Sequence, residues 1–416
     1  MTHEKDVAGA YFGAGSDAQH EQGVLYHGDY QHEGDGTSVA IRLHARALAS
    51  QGVPVLLKAF TATVLQGGVY QPMHVAGVAE SVRAEVGELT NASISKLFPL
   101  IRHFVVHKHE DISRKLMRGA LGGLDSPELL MKARSAIYSY SVLYSVWERD
   151  RISEAMSREL QRMGDNWVPC EQNAQMLRSC GVHKVYVVPH PYDPASPMLH
   201  LVRRKPYKNK RFYFIGRWEP RKNPAKILRA FAAAFNPGGA ETLTMKHHGA
   251  WEDYPSFDEV VDEIVQDGKW TREQLLAQVT SVVKHLRPDQ IVKLHFDNNI
   301  YVGPSAGEAW CLPAFDAKLS GNTLIHTPYG GTQDFCDRQR DLEVSFQLEN
   351  VPESYGWPEG SQWAGVSEEH LTSLMRDVAV PEEFTRPEGF DRFSLESVGK
   401  RMVDRIREVW GEGVRW

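Results

Sequence analysis

The chain has 416 residues, 42% of them apolar and 24% charged, with a formal net charge of −6; it is longer than one hydrophobic core usually supports and is predicted to form two domains. That acidic balance argues against a protein that coats nucleic acid electrostatically, although a local basic groove stays open. No run approaches the roughly 18 consecutive apolar residues of a membrane span, and the first residues lack a secretory layout. Cys170, Cys180, Cys311 and Cys336 form no CxxC pair, which suggests neither a disulfide framework nor a zinc knuckle, so a cytoplasmic protein is expected.

Apolar β-rich runs alternate with amphipathic helical patterns along the chain, the signature of an α/β architecture with parallel sheets. Residues 23–30 read as a strand and 32–38 as a polar, glycine-containing loop. Residues 39–52 read as a helix carrying Val39, Leu43, Ala47 and Leu48 and closed by Gly52, and 53–60 as the next strand. Further strands are predicted at 103–107, 136–146, 166–170 and 184–194, the last closing the first domain. The basic segment 200–211 reads as a linker. A second α/β domain is predicted to open with a strand at 211–216 and a helix at 224–235, then a strand at 241–248 and a long charged helical region at 256–286. A helix near 289–296 and a strand at 300–305 follow, with a strand, helix and strand around 308–327. Residues 394–412 place Val398, Met402, Ile406 and Val409 on one helical stripe.

Two stretches carry residue types suited to chemistry. In residues 214–231 a strand ends at Gly216, and Arg217 and Lys222 stand in the loop before a helix, where two cations and free N–H groups suit a diphosphate. Arg217, Arg221 and Lys222 as solvated loop charges account equally well for that spacing. In residues 304–335, Glu308 and Asp316 flank a turn made by Cys311, Leu312 and Pro313 at the start of a helix. Each carboxylate accepts two hydroxyls at once, as ribose and sugar recognition requires. Either acid alone reads as an exposed charge near a helix start.

Taken together, these patches resemble the GT-B-fold retaining glycosyltransferases, specifically the large family 4 group. Gly216, Arg217, Lys222 and Asn223 match its glycine-arginine and lysine loop, and Glu308 to Asp316 matches its Glu-x7-Glu motif with aspartate in the second place. Residues 289–308, the glycine pair in 328–335 and the segment 144–194 are similar to the family in the same order. The resemblance implies an α/β GT-B fold, two Rossmann-like domains facing across a cleft: 1–199 on the acceptor side, a 200–211 linker, 212–390 holding a nucleotide sugar, and a 391–416 helix crossing back to the first domain. It implies sugar transfer from a nucleotide-diphosphate donor, UDP- or GDP-sugar foremost, with retention. Arg217 and Lys222 would neutralise the diphosphate, Glu308 would hold the sugar and Asp316 the ribose. No metal is expected, in keeping with a chain that has no Asp-x-Asp.

By the same resemblance, Gly34, Gly36 and Thr37 in the run 34–38 form the glycine-rich turn after the first strand, and His109 or His107 reaches the transferred sugar. An ordinary turn, a solvated loop or a metal-binding HKHE cluster are the alternatives. Glu148 is placed on the acceptor side or in an ion pair with Arg149 or Arg151, and His190 and Tyr192 at the cleft edge. The acceptor is unassigned: glycan, lipid or small molecule, with nucleic acid, tracked by the basic run 203–211, as the minority reading. A peripheral membrane contact through 93–104 is open, although a core helix accounts for that segment more simply. The rivals in other classes are a dinucleotide-dependent oxidoreductase, disfavoured because no GxGxxG follows a predicted strand, and a catalytically silent nucleotide-sugar binding protein.

Overall fold

The structure is a computed structural model and describes residues 20–33, 35–59, 63–66, 69–72, 80–90, 94–106, 112, 135, 137–203, 207–249 and 251–411. The chain divides into two compact units, the first made of Met1–Trp147, Arg151–Pro194 and Asp391–Trp416, the second of Glu148–Asp150 and Ala195–Phe390.

Unit 1 opens with β1 (His20–His27), α1 (Gly36–Ala49) and β2 (Val55–Lys58), followed by an antiparallel pair, β3 (Thr63–Gln66) and β4 (Val69–Pro72), and by α2 (Glu80–Thr90). It continues through β5 (Ile94–His103), β6 (Ser141–Tyr144), α3 (Glu154–Gln161), β7 (Asp165–Val168), α4 (Glu171–Ser179) and β8 (Val185–Val187). Six of these strands form one parallel sheet in the order β2-β1-β5-β6-β7-β8. α1 starts where the Asp35 carboxylate accepts the Ser38 N–H at 2.9 Å, which satisfies one of the free donors of the first turn. Its buried stripe, Ile41, Ala45 and Leu48, packs on Val24, Val55 and Leu57 of the sheet.

Two expectations fail here. Residues 93–104 are not a core helix: β5 runs through them as a central strand, and the register against β1 shifts between Gly23 and Leu25, opposite Pro99. Proline donates no ladder hydrogen bond, and such an irregularity accommodates it. A strand paired on both sides leaves no amphipathic helix to lie on a membrane. The strand expected at 103–107 correspondingly ends at His103, and the one expected at 136–146 shortens to Ser141–Tyr144.

Unit 2 contains β9 (Arg211–Arg217), α5 (Pro224–Ala234), β10 (Thr242–His248), α6 (Phe257–Gln266), α7 (Arg272–Gln278), β11 (Val279–Val282), α8 (Pro288–Asp297), β12 (Ile300–Gly303) and α9 (Leu312–Leu319). β13 (Thr323–His326), β14 (Leu342–Glu343), the antiparallel hairpin β15 (Phe346–Asn350) and β16 (Gln362–Val366), and α10 (Glu368–Asp377) complete it. Its parallel sheet runs β11-β10-β9-β12-β13-β14, the 3-2-1-4-5-6 order of doubly wound nucleotide-binding sheets. Phe212, Phe214, Phe231 and Val302 lie in its core. The long helical region expected at 256–286 is two capped helices and a strand. Ser256 and Thr271 each make a capping box, and Val279, Thr280 and Val282 bring the β-branched side chains that favour a strand. A loop, not a strand, precedes α9.

The last helix, α11 (Leu395–Trp410), packs in unit 1 against α1, burying Val398, Met402 and Ile406. Gly399 lies so close to α1 that a Cβ there would meet the Ala47 carbonyl oxygen at 2.0 Å. Arg405 clamps Asp165 with two hydrogen bonds of 2.7 and 2.9 Å.

Candidate active site

In a doubly wound sheet, ligands bind outside the carboxyl ends of the strands where the order reverses. In unit 2 that point lies between β9 and β12, and the loops leaving those two strands carry Arg217–Asn223 and Pro304–Cys311. The two loops are sewn together. The Ala306 N–H donates to the Arg221 carbonyl at 2.7 Å, and the Asn223 side-chain amide donates to the Pro304 carbonyl at 2.7 Å. Asn223 holds this place with a left-handed backbone (φ 54°), a conformation that asparagine tolerates better than most residues, directly before Pro224 opens α5. Gly216 is required for a different reason: a Cβ there would strike the buried Phe214 ring at 2.5 Å.

The centre of the site is a buried ion cluster. Lys222 Nζ is paired with Glu308 Oε1. Arg221 is only 6% exposed. Its guanidinium donates to Glu219 Oε1 at 2.7 Å and to the Gly307 carbonyl at 2.8 Å, and lies 3.1 Å from Glu148 and 3.6 Å from Glu308. Burial opposes the charge of Arg221, but Glu148, Glu308 and Glu219 outweigh it and raise its pKa. Burial likewise pushes Glu308 toward protonation, and Lys222 and Arg221 overcome it, leaving that carboxyl below its ordinary range. Glu308 is therefore an ionised group placed among cations. From behind, the Gly331 N–H donates to the Glu308 carbonyl at 2.9 Å, and a Cβ on Gly330 would meet that oxygen at 2.1 Å.

Asp316 has a contrasting environment. It sits half-buried on α9, and among the described residues its carboxylate makes no hydrogen bond or ion pair; burial alone raises its pKa to about 7. Cys311 caps α9 from a left-handed backbone (φ 65°), with Leu312 and Pro313 as the first residues of the helix. Its buried thiol is pushed up to about 11 by burial and by Glu308, so it packs as an inert apolar group.

The structure thus brings Lys222 and Glu308 together, with Asn223 and Gly216 shaping the loop. Arg217 stands apart, its side chain 56% exposed and 3.8 Å from Glu219. Glu148 pairs with Arg221 at 3.1 Å. Gly36 and Thr37 open α1 in unit 1, whereas Gly34, His107 and His109 lie outside the described residues. His190 and Tyr192 are buried inside unit 1, with His190 against His44, His103 and Tyr144. Sequence reasoning missed Arg221 as the hub, along with Glu219 and Tyr355. The hydroxyl of Tyr355 accepts the Arg221 N–H at 3.1 Å from a turn far along the chain. Only an unusual density of charge in residues 217–222 hinted at the cluster.

Among the described residues no helix is long and apolar enough to cross a membrane. No protein-family model and no curated protein sequence matches the chain. Solved structures do. Alr3699/HepE of Anabaena, in complex with UDP and glucose, aligns with a TM-score of 0.56 at 11% identity, over 94% of this chain and 100% of that one. A glycosyltransferase of Rickettsia africae ESF-5 gives 0.55 at 11% identity over 95% and 100%. Sucrose-phosphate synthase of Thermosynechococcus elongatus gives 0.50 at 15% identity over 94% and 99%. At such identities the likeness speaks for architecture: with its two parallel six-stranded α/β sheets, the chain has the GT-B glycosyltransferase fold.

Proposed function

We propose that this protein is a glycosyltransferase that moves a sugar from a nucleotide-diphosphate donor, a UDP-sugar foremost, to a glycan, lipid or small-molecule acceptor. The observation that carries the reading is the Arg221–Lys222–Glu308 cluster at the reversal point of the second sheet. It stands in a fold shared with a protein whose structure holds UDP and glucose. Lys222 and the exposed Arg217 are the cations suited to the diphosphate, whose charge grows as it leaves. Glu308, kept ionised, accepts hydroxyls of the transferred sugar, and Asp316, with no partner among the described residues, accepts those of the ribose. In this reading the cations stabilise the leaving group without a divalent metal, and the anomeric configuration is retained.

The test is a thermal-shift series on the purified chain with UDP, GDP, ADP, TDP and their sugar conjugates, with NAD as control. UDP or UDP-sugar is expected to raise the midpoint most, because binding to the folded state alone stabilises it by RT ln(1 + [L]/Kd). A flat response to every nucleotide diphosphate, or a shift with NAD alone, overturns the reading. Transfer by the chelator-treated enzyme should be unaffected by added Mg²⁺ or Mn²⁺; restoration of lost transfer by either ion refutes the metal-free mechanism.

A further inference from the structure

A second cluster of ligand-type side chains lies on the far strands of the same sheet. His326 ends β13, Glu343 is its register partner on β14, and Cys336 sits in the turn between those strands. One donor atom from each falls within 4.8 Å of the other two.

The imidazole of His326 is fully buried. Its Nδ1 lies 3.1 Å from both the Thr327 carbonyl and the Thr332 hydroxyl. A carbonyl only accepts, so Nδ1 carries the proton and Nε2 is left as a bare lone pair. That Nε2 is buried and has no hydrogen-bond partner among the described residues, an arrangement that costs free energy unless something fills it. The Cys336 thiol makes a weak contact to the Gln333 carbonyl at 3.8 Å, and Glu343 is exposed.

We infer that His326 Nε2, Cys336 Sγ and Glu343 form a three-ligand site for a divalent ion of zinc type. Imidazole, thiolate and carboxylate together suit a borderline-soft cation, and a water would complete the four-coordinate shell. On binding, the Cys336 proton passes to the buffer and the sulfur enters as thiolate. The ion would tie the two-residue edge strand β14 and the Gly331–Asp334 turn to β13. Since the Gly331 N–H holds the Glu308 carbonyl, the staple would also stiffen the backing of the ion cluster. The sequence showed no zinc signature because the three ligands come from two strands and a turn. The inference does not depend on the proposed sugar transfer.

The experiment titrates the metal-stripped full-length chain with Co²⁺, followed by Zn²⁺ competition. Stoichiometric Co²⁺ binding with a thiolate-to-cobalt charge-transfer band, displaced by Zn²⁺, is expected. Cys336→Ser should abolish the band, and Glu343→Gln, at an exposed position that leaves folding intact, should weaken Co²⁺ binding by at least about tenfold. Absence of the band in the parent chain, its survival in Cys336→Ser, or an unchanged affinity in Glu343→Gln would each overturn the assignment.

Discussion

The two sheets end in polar clusters of opposite design. At the carboxyl ends of β1, β5 and β6 in unit 1, Tyr26, His103 and Tyr144 meet His44 and His190 in a fully buried group. Burial lowers His44 to about 4 and holds His103 and His190 well below the usual histidine range, so the cluster is neutral. At the corresponding ends of β9 and β12 in unit 2, Arg221, Glu219 and Glu308 are buried and Lys222 is partly so, but all four are charged and each is answered by opposite charge. A buried group either gives up its charge or acquires a partner. The chain does the first in one unit and the second in the other, and only the second leaves groups fit to meet a charged ligand.

The largest test of that contrast is Arg221→Met. Removing the hub takes the buried partner from Glu219 and one of two cations from Glu308, and breaking a buried ion network in this way costs about 3–5 kcal/mol. A urea-unfolding midpoint close to that of the parent would show that the cluster is not held as described. Next is Lys222→Ala, expected to lower turnover by about 10²-fold, as loss of a charge contact to the leaving group does; near-normal turnover removes Lys222 from the site. The smallest effect is on pH dependence, and its sign separates the units. In unit 1 the histidines bind protons more readily unfolded than folded. Their stabilisation is complete above about pH 6.5 and falls as pH drops toward 4, by about 1.4 kcal/mol per unit for His44. In unit 2, Asp316 is raised to about 7 by burial. Its protonated form is favoured in the fold, so its contribution grows as pH falls through 7 toward the unfolded value. Glu308, lowered, loses its contribution only below the ordinary carboxylate range. Unit-resolved hydrogen exchange at pH 5 against pH 7, corrected for intrinsic rates, should show unit 1 loosening first. Equal loosening of both units, or a slope unaltered by His44→Gln, would count against the comparison.

Much of the second unit was legible in the sequence, and for local reasons. The run from β9 to α5 announces itself by an apolar strand, a charged loop and a proline-started helix, and the stripe of α11 by its spacing. What escaped depended on distant partners. β5 mixes Lys96, Pro99 and Arg102 with apolar residues, and nothing nearby says that two strands flank it. β11 follows an amphipathic helix without a break, so its β-branched residues read as a continuation. Lys222 and Glu308 could be singled out from their loops, but Arg221 as the second cation on Glu308 could not, because Glu148 and Tyr355, which also meet it, come from either end of the unit's sequence.

Asn223 and Cys311 are two of the three non-glycine residues with positive φ among those described. Both stand at the head of a helix leaving the ion cluster, and both are followed within two residues by proline. A left-handed backbone at such residues stores strain that the surrounding bonds must hold. The consequence is preorganisation: the two loops already have fixed shapes, so a ligand arriving there need not meet the entropy of ordering them. Glycine at either position would relieve the strain and give that rigidity away.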